Sequence, residues 1–198
     1  ALSDAVPVFE NFGFRVLEEV PSMLTEGEGR IHDFLLEADE ASVSAMLDRA
    51  DVAEQAIAAV LAGAAENDAF NALLARAGLD PRGVVLLRAW FRYLRQSGLP
   101  NGLQTVADTL QRAPDVARGL IALFEALHDP ARDAGADDAG RALDSTLASV
   151  SSIEDDRILR HYAALVRAIL RTNAFAPAAA EALAFKLDPV CVPGLPKP

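Results

Sequence analysis

The residues best suited to chemistry in this sequence are arginines at helical spacing. Arg157, Arg160, Arg167 and Arg171 recur along one arc of a predicted helix that starts near Glu154. Side chains three and four residues apart share a helix face, and arginine is the cation best suited to bidentate pairing with carboxylates. The pattern predicts a face that docks an acidic protein surface. The alternative is a solvated face paired with local carboxylates.

A second arginine group lies on an earlier predicted helix, where Arg88, Arg92 and Arg95 accompany Trp90 and Tyr93. Basic residues interleaved with aromatic ones also suit nucleic acid. The chain, however, has 18 basic and 29 acidic residues and a net charge of −11. Such a chain repels a phosphate backbone, so this group is a second candidate docking face and no nucleic-acid partner is expected.

Motifs for catalysis or cofactor binding are missing from the sequence. It contains no G-x-G-x-x-G, G-x-x-x-x-G-K-[ST], H-E-x-x-H or C-x-x-C string. Its histidines, His32, His128 and His161, are far apart, and Cys191 stands alone in a proline-rich tail. Gly27-Glu-Gly29 lacks the third glycine of a phosphate loop. We therefore assign no catalytic, cofactor-binding or metal-ligating residue.

Composition indicates a soluble globular chain with a helical bias. Of its 198 residues, 52% are hydrophobic and only 6% aromatic, and the excess of alanine favours helix. A single cysteine suggests a reducing compartment. The longest apolar stretch, 56–65, is about half of the roughly 20 residues that a membrane span needs. With no evident signal peptide, we expect a cytoplasmic protein without a membrane partner.

The first forty residues predict a small α-β-β unit. A short helix should stop at Gly13, and strand Phe14–Val20 should end at Pro21. A turn over Glu26–Gly29 then leads into strand Arg30–Glu37. Two strands are marginal in water and leave an open edge. We expect this unit to pack on neighbouring helices and to favour a homo-oligomer through its edge.

The next part of the chain has a helical period up to about Asn173. Helices should begin at Asp80-Pro81 and at Pro114, since proline suits the first helical turn. Ser151-x-x-Glu154 fits a capping box for the helix that reaches Arg171. A strand is predicted within 182–187, followed by an extended tail.

These patterns predict a mainly helical α+β fold, with the α-β-β unit packed on a multi-helix domain. We expect the α-β-β unit at 1–40 and a helical domain at 41–128. A linker or hinge rich in Asp, Ala and Gly should follow at 129–140. A helical segment with a C-terminal strand and an extended tail should then occupy 141–198.

Several strings together resemble one family, the large bacterial NAD-specific glutamate dehydrogenases. The strings are Leu2–Leu17, Ile31–Phe34, Ala65–Asn71, Val85–Gln96, Ile153–Arg160, Leu170–Asn173 and Ala184–Pro189. They follow in order along nearly the whole chain, which makes the resemblance more specific than any single motif.

The resemblance implies a fragment that spans the end of the last ACT-like module and the helices before the catalytic core. The parent enzyme would convert L-glutamate, NAD⁺ and water to 2-oxoglutarate, ammonia and NADH, with NAD as its cofactor. Neither Lys186 nor Lys197 stands in the glycine-rich setting of the family's catalytic lysine, so no catalytic residue is carried over.

On this interpretation the fragment is a structural or regulatory segment without an active site of its own. Its partners would be the catalytic core and regulatory modules of the same polypeptide. The alternative is a stand-alone helical module that docks an acidic partner through its arginines.

Overall fold

The chain adopts the predicted mainly helical α+β fold. A computed structural model describes residues 2–24, 29–132 and 134–192. The chain divides into two compact units, 1–84 and 85–198.

The first unit contains a helix, a β-hairpin and further short helices. Its elements are α1 (Leu2–Asn11), β1 (Arg15–Met23), β2 (Arg30–Glu37), α2 (Glu40–Leu47), α3 (Ala50–Leu61), a 3₁₀ turn (Ala69–Ala72) and α4 (Leu73–Arg76). Helix α5 (Pro81–Gln96) begins in this unit and continues into the second.

The α-β-β unit packs on helices, as predicted. Helix α1 is followed by Gly13 at a φ of +91°, a conformation that glycine adopts without strain. Phe9 of α1 lies 4.9 Å from Phe34 of β2, measured between ring centroids. Helix α1 also contacts α3 and the 3₁₀ turn. Helix α1 thereby contacts part of the hairpin and in turn packs on α3 and the 3₁₀ turn of the same unit.

Strand β1 extends further than the sequence predicted. It runs through Pro21, which lies opposite His32, and ends at Met23. The prediction that Pro21 ends the strand was therefore wrong, because a proline is tolerated on an edge strand where its missing N–H is not needed. Of the predicted turn, residues 25–28 lie outside the described part. Leu24 N donates to Gly29 O at 3.0 Å beside them.

The second unit is built around helices α5 to α9 and a short sheet. After α5 come α6 (Leu103–Arg112), α7 (Pro114–His128), α8 (Ala136–Ala148), α9 (Ile153–Ala168), β3 (Ile169–Thr172), a 3₁₀ turn (Pro177–Ala180) and β4 (Phe185–Leu187). Both predicted starts are confirmed, since Asp80 Oδ1 accepts from Gly83 N at 2.7 Å and Pro114 opens α7. Within the segment predicted as a linker or hinge, α8 begins at Ala136.

Helix α9 differs from its prediction at both ends. Its N-cap is Ser152, whose hydroxyl accepts from Asp155 N at 3.2 Å, and not Ser151. The helix ends at Ala168, and the chain continues as β3, antiparallel to β4. The prediction that the helix reaches Arg171 was wrong, because a short apolar run fits a helix and a strand equally well.

Aromatic rings fill the core of the second unit. Phe124 is fully buried, and its ring centroid lies 5.2 Å from that of Trp90 and 5.7 Å from that of Phe175. The buried Tyr162 hydroxyl donates to Leu87 O at 3.2 Å and ties α9 to α5. Burial raises the pKa of this phenol well above its ordinary value. Tyr162 is therefore a neutral structural donor.

Within the described residues, no helix combines the length and the apolar character needed to cross a membrane.

Candidate functional site

Two of the four arginines of the predicted docking arc are paired with carboxylates of the described residues. Arg160 Nε donates to both carboxylate oxygens of Asp156 at 2.8 Å, which raises the pKa of Arg160. Arg167 Nη2 donates to Asp144 Oδ1 of α8 at 2.8 Å. One of the two partners therefore comes from the neighbouring helix α8 and not from α9 itself.

The other two arginines of the arc occupy different elements. Arg157 is exposed on α9, and Arg171 is exposed on strand β3 instead of on the helix. Neither forms an ion pair with any residue that the structure describes. A docking role for Arg157, Arg160, Arg167 and Arg171 stays a prediction, and the structure leaves Arg157 and Arg171 as its unpaired members in the described part of the chain.

The second arginine group does not form one exposed face. Arg88 is only 4% exposed, whereas Arg92 and Arg95 are exposed. Arg95 Nη1 also donates to Leu99 O at 2.7 Å beyond the end of its helix. A buried guanidinium cannot contact a partner, so Arg88 is not part of the predicted docking surface. Arg92 and Arg95 remain candidate residues of that surface.

A polar cluster joins α6 to the first turn of α9. Asp155 accepts from Thr109 Oγ1 at 2.9 Å and from Arg112 Nη2 and Nε at 2.6 and 3.0 Å. Hydrogen bonding from Arg112 lowers the pKa of Asp155 and raises that of Arg112. Thr109 is fully buried, so this cluster satisfies a hydroxyl that water does not reach.

Sequence reasoning missed this cluster. Asp155 lies more than forty positions from both Thr109 and Arg112 along the chain. Helical periodicity does not reveal which side chains from different helices meet.

A surface groove of about 730 Å³ lies beside the cluster, where α7 and α9 begin. Its lining includes Arg112, Asp115, Ser149 and Glu154. Helix N-termini attract anions. Here, however, both first turns already carry carboxylates, and the Arg112 guanidinium is engaged by Asp155. The groove therefore has no built site for an anion.

The three histidines have separate structural contacts. His32 Nδ1 lies 2.5 Å from Glu19 Oε1 across the β1–β2 hairpin, and His161 Nδ1 lies 2.6 Å from Arg157 O. Burial lowers the pKa of His128, so the neutral imidazole is favoured although a cation would suit the end of α7. Among the described residues, no group of His, Cys, Asp and Glu side chains could hold a metal ion.

The loop between β3 and β4 is held by one asparagine. Asn173 Nδ2 donates to Ala182 O, and Asn173 Oδ1 accepts from Ala184 N, both at 2.8 Å. The side chain thus donates one hydrogen bond to the backbone across the loop and accepts one from it, as a neighbouring strand would. We call this pair of hydrogen bonds the Asn173 clamp. This clamp aligns β4 beside β3 and places Lys186 directly opposite Arg171.

Comparisons with protein families match three successive parts of the chain. Residues 1–52 match the ACT3 domain of glutamate dehydrogenase, and residues 65–130 match its helical motif 3. Residues 142–198 match the catalytic domain of bacterial NAD-glutamate dehydrogenase.

Curated relatives match the chain over its whole length. It is 39% identical to the NAD-specific glutamate dehydrogenase of Halomonas elongata over 207 residues, and 38% identical to that of Pseudomonas aeruginosa over 212. The enzyme of the same name from Mycobacterium tuberculosis is 37% identical over 218 residues. The chain spans 13% of the length of each of these relatives.

Proposed function

Since the chain belongs to the family of bacterial NAD-specific glutamate dehydrogenases, we propose that it is a non-catalytic segment of such an enzyme. It would connect an ACT-type module to the catalytic domain through a helical region. The whole protein would oxidise L-glutamate with NAD⁺ and water to 2-oxoglutarate, ammonia and NADH.

The observation that carries this proposal is the structural use of polar side chains in the part that matches the catalytic domain. Asp155 bonds to α6, and the Tyr162 hydroxyl donates to a backbone oxygen of α5. The Asn173 side chain is hydrogen-bonded to two backbone groups of its own loop. Each of these groups joins two chain segments by hydrogen bonds, which is a structural role.

The remaining parts of the proposal concern partners and location. Contacts with the catalytic core and regulatory modules of the same polypeptide would anchor the segment, and a homo-oligomer is compatible with the open hairpin edge. The proposal includes no nucleic-acid or membrane partner. NAD would bind to other parts of the whole enzyme, and the location would be cytoplasmic.

The isolated 198-residue chain is expected to bind no NAD and to oxidise no glutamate. Isothermal titration calorimetry with NAD⁺ and absorbance at the NADH band test both expectations. The full-length Pseudomonas aeruginosa relative, run in parallel, is the positive control. Saturable NAD⁺ binding by the isolated chain would contradict the proposal, because it would place part of the cofactor site in these residues.

A stand-alone docking module is the second candidate function. Exposed arginines such as Arg157 and Arg171 favour it. The ordered match to three parts of one enzyme family supports the first proposal more strongly, since a free module would have no need of all three.

A further inference from the structure

Two cations face each other across the small sheet of the second unit. Arg171 of β3 and Lys186 of β4 are direct cross-strand partners, and both are exposed. Partners in an antiparallel pair project from the same face, with Cβ atoms about 5 Å apart. Like charges at such positions are unfavourable, so the sheet carries a local electrostatic cost.

Neither cation is neutralised inside the described part of the chain. Arg171 and Lys186 form no ion pair with any described residue. Asp188, the acidic residue nearest in sequence, instead accepts from Val190 N at 3.0 Å and contacts Cys191 Sγ at 3.5 Å. The two charges therefore face solvent, in a chain whose net charge is −11.

An apolar side chain accompanies the two cations. Leu170 lies at the irregularity of the β3–β4 register and is 54% exposed. We call Leu170, Arg171 and Lys186 the β3–β4 patch. Its combination of one exposed aliphatic group with two cations is complementary to an acidic, partly apolar surface.

The opposite face of the sheet fixes the patch in place. Ile169 is 4% exposed, and the Phe185 ring centroid lies 6.3 Å from that of Phe124 in the core. The Asn173 clamp closes the intervening loop. Packing behind the sheet thus fixes the backbone positions from which the two cations project before any partner binds, which lowers the entropic cost of ordering the backbone on binding.

We propose that the β3–β4 patch is a docking site for an acidic polypeptide segment that presents two carboxylates beside an apolar side chain. An exposed sheet face is not a cleft, and small-molecule sites are concave. The acidic chain as a whole repels a phosphate backbone, which disfavours nucleic acid. This inference goes beyond the proposed function and does not depend on it.

The test measures binding of a fluorescein-labelled acidic peptide to the 198-residue chain by anisotropy at low ionic strength. The peptide carries two glutamates four positions apart with a leucine between them. The double variant Arg171→Gln/Lys186→Gln should weaken binding about tenfold, as expected for the loss of two charge-assisted contacts.

The matched control is Arg118→Gln/Arg141→Gln. It changes the net charge equally, but Arg118 and Arg141 are exposed arginines already paired with Asp115 and Asp138 of their own helices. Binding should change less than about twofold, since only the long-range field is altered. An equal loss in both double variants would overturn the proposal, and so would a wild-type chain that does not bind the peptide.

Two further measurements exclude the two alternatives to a peptide-docking site. In the first alternative the like-charge pair only destabilises the sheet, and in the second the patch binds phosphate. Lys186→Glu should raise the melting temperature, because it replaces a like-charge pair by an opposite-charge pair, and it should also abolish peptide binding. A raised melting temperature with unchanged binding would overturn the proposal. A single-stranded oligonucleotide that binds more tightly than the peptide would overturn it in favour of a phosphate ligand.

Discussion

Replacing Phe124 with alanine is expected to lower the free energy of unfolding of the chain by about 3–5 kcal/mol. Phe124 is fully buried and lies within 6.3 Å of four other rings, measured between centroids. Those rings belong to α5, to the end of α7, to the β3–β4 loop and to β4. Truncation would remove the phenyl ring that lies next to all four of them. It would leave a cavity that the close-packed core does not readily fill.

Urea unfolding followed by tryptophan emission measures this effect directly. The chain has one tryptophan, Trp90, which is 1% exposed and packs edge-on against Phe124. The control is Leu127→Ala on the same helix, where the side chain is 42% exposed and the loss should stay below about 1 kcal/mol. If Phe124→Ala does not fold, Phe124→Leu should cost about 1–1.5 kcal/mol. Equal losses at positions 124 and 127 would contradict the described core.

Replacing Asp155 with alanine is expected to cost about 2 kcal/mol at neutral pH. The variant leaves the buried Thr109 hydroxyl without its acceptor, and an unsatisfied buried polar group costs about 1–3 kcal/mol. It also removes the ion pair with Arg112, whose side chain is 56% exposed, so that pair adds little. Chemical unfolding at pH 7 gives the value.

The matched control is Asp156→Ala, in the same helical turn. Among the described residues Asp156 pairs with the exposed Arg160 four residues on, and an exposed ion pair of this kind contributes little to stability. Both variants lose the same favourable charge near the helix N-terminus. The difference between their free energies of unfolding therefore measures the contribution of the α6–α9 cluster. Similar losses in the two variants would show that the cluster does not stabilise the fold.

The Asp155 effect should depend on pH in a defined direction. Arg112 holds the folded-state pKa of Asp155 below the ordinary value of 3.8. The ionised carboxylate therefore stabilises the fold above about pH 4, and this contribution is lost as the pH falls through the folded-state pKa. The difference between wild type and Asp155→Ala should shrink below pH 4.

Much of the fold could be predicted from local sequence signals. Asp80-Pro81 and Pro114 place helix starts correctly because proline and a capping carboxylate act within one turn. The strand Arg30–Glu37 was predicted with its observed bounds. The end of α9 was not, since pairing of Ile169 with Leu187 in β4 decides it, and that contact is distant in sequence.

The candidate docking surfaces formed by arginine and lysine side chains were harder to predict than the fold. Spacing on one helix placed Arg88 with Arg92 and Arg95, but tertiary packing buries Arg88. Spacing also does not reveal that Asp144 of α8 pairs with Arg167. Arg171 and Lys186 lie opposite each other because of the register between β3 and β4. In each case the deciding contact joins residues from separate elements.

The most direct test of the account exchanges the matching segment of the Pseudomonas aeruginosa relative for this chain and measures glutamate-dependent NADH formation. The two sequences are 38% identical over 212 residues. If the chain is a structural segment of an NAD-specific glutamate dehydrogenase, the chimera should form NADH at a rate within about tenfold of the parent's, a barrier difference below about 1.4 kcal/mol. A chimera that folds and assembles like the parent but forms no NADH would contradict the account.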